Sequence, residues 1–128
     1  GAVNLEDIKA PDCFEVERNC RSRMKIPVFH DDQHGTAIVV CAAAKNALLL
    51  TKKHFKDVKI VSTGGGAAGI ACLNMLVKLG VKKKNIWLCD KHGLVYAGRK
   101  IDMNSEKSSF RLITTLVPRC WSLLSSIV

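Results

Sequence analysis

The stretch "DVKIVSTGGGAAGIACLNMLVKLGV", followed by "NIWLCD", leaves this 128-residue chain few folding options. Residues 58–62 are a short β-branched run, 63–66 a glycine turn, and 67–79 place Ile70, Leu73, Leu76 and Val77 on one helical face before Gly80. Residues 85–90 then read as the next strand. A strand, helix and strand joined this closely predict a βαβ unit and a parallel sheet. The glycines add a chemical meaning. Gly64, Gly66 and Gly69 have the spacing of a dinucleotide fingerprint, in which the first permits a tight turn, the second admits a pyrophosphate and the third brings helix onto strand. The amides and dipole at the helix start attract phosphate. Asp90 closes the next strand 21 residues after Gly69, where an acid can accept from the adenosine ribose. Lys91, or Arg99 folded back, would instead suit a 2′-phosphate, so NAD and NADP both remain open. A plain glycine turn with a solvated acid is the alternative.

The preceding half predicts strand, helix, strand, helix. Residues 2–8 form a short strand ending in carboxylates. A helix runs from Pro11 to about Met24 with Cys13, Val16, Cys20 and Met24 on one face, and 26–29 form a second strand. From Gly35 to about Lys53 the Ala- and Leu-rich sequence predicts a long, largely buried helix. The fold class is therefore α/β: an incomplete Rossmann-like parallel sheet behind a strand-helix-strand-helix segment. Residues 1–54, 55–110 and 111–128 are its expected divisions.

Two acid pairs stand at the ends of the first two strands, Glu6–Asp7 and Asp31–Asp32. If those strands are neighbours the four carboxylates meet at one edge, where a cation would keep them ionised. Oxygen ligands suit Mg²⁺ or Mn²⁺. The competing reading makes one aspartate of the second pair a helix N-cap and the first pair surface acids. Spacing alone leaves the two balanced. His30 and His34 would share a helical face only if both were helical, and His30 belongs to the strand.

Charge and cysteines exclude other classes. The net charge is +9, but residues 1–32 hold five Lys/Arg against seven Asp/Glu and residues 33–128 fifteen against four. The lysines are scattered, with few aromatics between them to stack on bases, which argues against a nucleic-acid partner. "TAIVVCAAAKNALLL", broken by Lys45 and Asn46, is shorter than the roughly 20 residues that a membrane span needs. Six cysteines without a CxxC pair suggest reduced thiols in a cytoplasmic protein.

"NLEDIKAPDCFEVE", "PVFHDDQHGTAIVV", "GGGAAGIAC" and "LCDKHGLVYAGR", in this order, resemble the bacterial-type malic enzymes from about Val3 to Phe110. That resemblance implies oxidative decarboxylation of malate to pyruvate and CO₂ with reduction of NAD or NADP. It implies Glu6, Asp7 and Asp32 as ligands of Mg²⁺ or Mn²⁺, and Asp31 as the carboxylate beside a catalytic lysine. Gly64, Gly65, Gly66, Ala67, Ala68 and Gly69 then form the pyrophosphate loop and Asp90 binds the ribose, with Gly65 standing where the family usually has alanine. The family's tyrosine acid and lysine base fall in a region before Gly1, and Tyr96 does not match that tyrosine. A fragment with little activity of its own is expected, from a cytoplasmic enzyme that is homo-oligomeric when intact. The segment 111–128 reads as a tail without family likeness, arising by truncation or a slipped frame near Ser109. The alternative function is a non-catalytic dinucleotide- or partner-binding module.

Overall fold

The structure is a computed structural model and describes residues 1–110. The tail from 111 onward, with Cys120, lies outside the described residues.

The chain runs β1 (Val3–Leu5), α1 (Asp12–Arg23), β2 (Val28–His30), α2 (Asp31–Leu50), β3 (Ile60–Ser62), α3 (Ala67–Lys78), β4 (Ile86–Asp90), β5 (Gly93–Leu94) and α4 (Ser105–Ser108). β1 and β2 pair in parallel with Leu5 opposite His30, so the two acid pairs that follow them emerge at the same end. β3 and β4 also pair in parallel, with Ser62 opposite Leu88, which is the βαβ unit read from the sequence. β5 joins β4 antiparallel through a tight turn.

The core forms where α3 lies on this second sheet: Ile70, Leu73 and Leu76 pack with Ile86, Leu88 and Val95, and Cys41 joins them from α2. α3 stops at a two-bond cap. Gly80 takes φ +112°, its amide reaches Val77 O at 3.0 Å, and the Val81 amide reaches Leu76 O at 3.1 Å. A left-handed residue at this place is what glycine allows without steric cost. Leu76 and Val81 are both buried beside the cap.

Two sequence expectations are corrected in the first half. α2 begins at Asp31 rather than near Gly35, and it is not largely buried, because α3 covers only one side. Val39 and Leu49 are each 68% exposed and Leu50 85%. On α1 the buried face is Cys13 and Glu17, while Met24 is exposed. The thiols of Cys13, Cys20, Cys41 and Cys72 are free, as expected. No helix among the described residues is long and apolar enough to cross a membrane.

Candidate functional site

The parallel register of β1 and β2 places the acid pairs side by side, and one contact ties them. Asp7 adopts φ +57°, a left-handed conformation that aspartate tolerates better than most residues, and its amide donates to Asp32 Oδ2 at 2.9 Å. Neither aspartate of the second pair is the N-cap of α2. His30 occupies that place and makes no side-chain cap bond, so the capping alternative falls. Asp31 and Asp32 sit within the first turn, where negative charge is favoured by the unsatisfied amides. A Cβ at Gly35 would collide with the Asp31 carboxylate, so this glycine is what lets Asp31 fold back over its own helix.

The donors are hard oxygens on exposed or half-buried side chains, suited in kind to Mg²⁺ or Mn²⁺. As the side chains stand they are not gathered around one point. The Glu6 carboxylate accepts from Asn4 at 3.3 Å, and no three His, Cys, Asp or Glu residues among those described are placed to hold a metal ion. His30 is fully buried with both ring nitrogens unpartnered.

Behind this edge lies a cluster that the helical pattern did not reveal. Glu17, on the buried face of α1, accepts from Gln33 Nε2 at 3.2 Å and contacts His34 Nε2 at 2.6 Å. An acid four residues after a buried cysteine, on the face turned toward α2, was the available signal. The cluster borders a cavity of about 480 Å³ between α1, α2 and α3.

The glycine loop is built as its spacing requires. A Cβ on Gly69 would collide with the Gly64 carbonyl, while Gly64 and Gly66 have nothing within 4 Å of where a Cβ would stand. The loop is thus closed beneath by Gly69 and open above Gly64 and Gly66. Gly66 is the N-cap of α3 without a side-chain cap, leaving first-turn amides available to an anion. Gly65 lies over Asp90 and Lys107: an alanine Cβ there would stand 3.0 Å from Lys107 Cε and 3.3 Å from Asp90 Cβ.

Asp90 ends β4 as expected, but its carboxylate faces inward to protein donors. Arg99 Nη2 lies 2.7 Å from both oxygens, Lys107 Nζ 2.9 Å from Oδ2, and the His92 amide 2.9 Å from Oδ1. These engage the roughly four lone-pair sites of a carboxylate, so a ribose hydroxyl would have to share or displace one. Arg99 has folded back, and its other donors reach Gly93 O, Leu94 O and Ile101 O. All three guanidinium nitrogens therefore have partners within the chain, and a 2′-phosphate would have to compete with them. Lys91 stays exposed. Lys107, absent from the sequence reading, also reaches Asp102 Oδ2 at 3.0 Å.

Burial alone would raise the Asp90 carboxyl, but hydrogen bonds from Arg99, Lys107 and the His92 amide outweigh it and hold the pKa at about 2. For Lys107 burial acts downward, yet Asp90 and Asp102 hold the ammonium above its ordinary value. A depressed carboxyl stabilises the fold fully above its ordinary pKa and loses that contribution as pH falls through the folded value. Urea unfolding is therefore expected to show a loss on the order of 2 kcal/mol between about pH 4 and pH 2 from this group. An Asp90→Asn chain measured over the same range should lack that component.

Residues 33–117 match the family profile described as malic enzyme, NAD binding domain. The chain is 58% identical over 110 residues to an NAD-dependent malic enzyme of Rhizobium meliloti, covering 86% of this chain and 14% of that protein. It is 46% identical over all 128 residues to a bifunctional malic/malolactic enzyme of Bacillus subtilis, 31% of whose length it covers. The crystal structure of an NAD-dependent malic enzyme from Thermotoga maritima superposes with a TM-score of 0.78 at 44% identity, over 84% of this chain and 28% of that one. The chain thus spans less than a third of the length of each of these relatives. Residues 33–117 include the βαβ unit and its glycine loop: this chain belongs to the malic enzymes, and most of it matches their NAD-binding domain.

Proposed function

We propose that this chain carries the metal-ligand edge and the first nucleotide-binding unit of an enzyme that oxidatively decarboxylates malate to pyruvate and CO₂ with NAD or NADP. The observation that carries this is the parallel pairing that ties Asp7 to Asp32 in a chain whose next unit is an open glycine loop. Glu6, Asp7 and Asp32 would hold Mg²⁺ or Mn²⁺ once Glu6 leaves Asn4. A divalent cation there supplies Lewis-acid polarisation of the substrate's oxygens. Asp31, seated over Gly35, orients a lysine from polypeptide outside these residues. Gly64, Gly65, Gly66, Ala67, Ala68 and Gly69 present backbone amides to the pyrophosphate, and Asp90 fixes the strand end beside the ribose. Residues 1–54 serve malate and metal and residues 55–110 the nucleotide, although the matched family region already begins at residue 33, inside α2. The intact enzyme is read as a cytoplasmic homo-oligomer, with neither nucleic acid nor membrane as partner.

General acid and base groups typically contribute 10²–10⁴-fold each, and the tyrosine and lysine implied by the resemblance are not among these residues. Malate-dependent NAD(P)H formation by the isolated chain is therefore expected to be at background, and clear turnover would contradict that expectation. Calorimetric titration with NAD, NADP and Mn²⁺ tests the binding part: nucleotide and Mn²⁺ should each bind. A non-catalytic nucleotide-binding module, favoured by the ungathered carboxylates, would take nucleotide but not Mn²⁺.

A further inference from the structure

We infer that Glu17 is a positioning residue for the acid edge, acting through the first turn of α2; this rests on the metal reading given above. The side chain of Glu17 is 10% exposed, and its carboxylate holds two consecutive residues of α2, Gln33 and His34. Those are the residues that immediately follow Asp31 and Asp32. The same turn has no side-chain N-cap, so Glu17 supplies from α1 a restraint that the helix end lacks. The cavity on its flank leaves that restraint to hydrogen bonds in place of close packing.

The restraint runs on to the next strand. Fixing Gln33 and His34 fixes the direction of Asp32, whose Oδ2 accepts from the Asp7 amide at the end of β1. The β1–β2 ladder sets the separation of the two strand ends, and this one buried carboxylate fixes how the Asp32 side chain is presented between them. Arg21, at 3.5 Å from Glu17 Oε1 on the same helix, balances its charge from the solvent side. Groups that orient metal-binding side chains commonly change metal affinity 10–100-fold when removed.

The test compares the chain with its Glu17→Ala and Glu17→Gln variants by two readouts. Amide hydrogen exchange at Asp7 reports the bond to Asp32 without any metal, and Mn²⁺ titration reports the assembled edge. In Glu17→Ala, Asp7 should exchange faster and Mn²⁺ affinity should fall about 10–100-fold, while NAD affinity at the glycine loop stays within about twofold. Glu17→Gln, which still accepts from His34 and can face a flipped Gln33 amide, should recover most of both. Unchanged exchange at Asp7 in Glu17→Ala overturns the inference, as does parallel loss of Mn²⁺ and NAD binding, which marks general loosening. If Glu17→Ala fails to fold, Gln33→Ala combined with His34→Ala releases the same restraint from α2 and is judged by the same two outcomes. Absence of Mn²⁺ binding by the unmodified chain would sink the metal reading, whereas normal binding with an indifferent Glu17→Ala would sink only the role of Glu17.

Discussion

Asp90→Asn is expected to destabilise the chain by about 3–5 kcal/mol, the usual cost of removing one partner from a buried ion pair. Three side chains meet there with almost no access to solvent: Asp90 at 7% exposure, Arg99 at 4% and Lys107 at 7%. The amide that replaces the carboxylate keeps one acceptor oxygen but no charge. Lys107 retains a partly exposed carboxylate in Asp102, while the Arg99 guanidinium is left facing neutral oxygens. A domain of this size has only about 5–15 kcal/mol of stability in all, so the loss should appear as a large drop in the urea midpoint. The distinguishing measurement is the double variant Asp90→Asn with Arg99→Met. Removing the stranded cation should recover part of the loss, giving a coupling of about 0.5–3 kcal/mol. Additive losses would mean that the two side chains are not energetically paired.

That network also shows where sequence reading stops. Patterns within a segment were legible. The β-branched runs, the period of α3, its glycine cap and the loop spacing all depend on residues near one another in the chain, and each appears in the structure close to its expected place. The neighbouring of β1 and β2 was stated as a condition, and it is met. What could not be read were partnerships between segments. Asp90 was visible as a strand-end acid, but nothing local shows that Lys107, seventeen residues on, returns beneath Gly65 to meet it. Glu17 resembled one more charge on an amphipathic helix until α2 supplied its partners. The start of α2 was misplaced for a related reason. Glycine at 35 looked like a helix boundary, whereas it is the fifth residue of α2, one turn on from Asp31, where its missing Cβ leaves room for the Asp31 carboxylate. The β5 hairpin and α4 escaped because two- and four-residue elements carry too little periodicity to register.

Gly69→Ala is the second large effect expected, and it separates the two uses of glycine in the loop. Its Cβ would overlap the Gly64 carbonyl oxygen and stand 3.0 Å from the Gly64 carbonyl carbon. Both are backbone atoms, and Ser62 Oγ already donates to that carbonyl at 3.3 Å, so no side chain can swing aside to admit the methyl. The loop must open, at a cost of roughly 1–3 kcal/mol for overpacking. Because the first-turn amides of α3 move with it, NAD affinity should fall about 100-fold, which corresponds to somewhat under 3 kcal/mol of binding free energy. Gly66→Ala supplies the contrast. Its Cβ would meet nothing within 4 Å and its φ of −83° suits any residue, so stability should change by no more than about 1 kcal/mol. That same empty space is where the backbone is open to a pyrophosphate, so Gly66→Ala should weaken NAD binding in a chain that melts almost normally. Denaturant unfolding and NAD titration of the two variants therefore give opposite pairings of effect, stability with binding for Gly69 and binding alone for Gly66. Full NAD affinity in Gly66→Ala would show that the open face of the loop is not where the nucleotide lies.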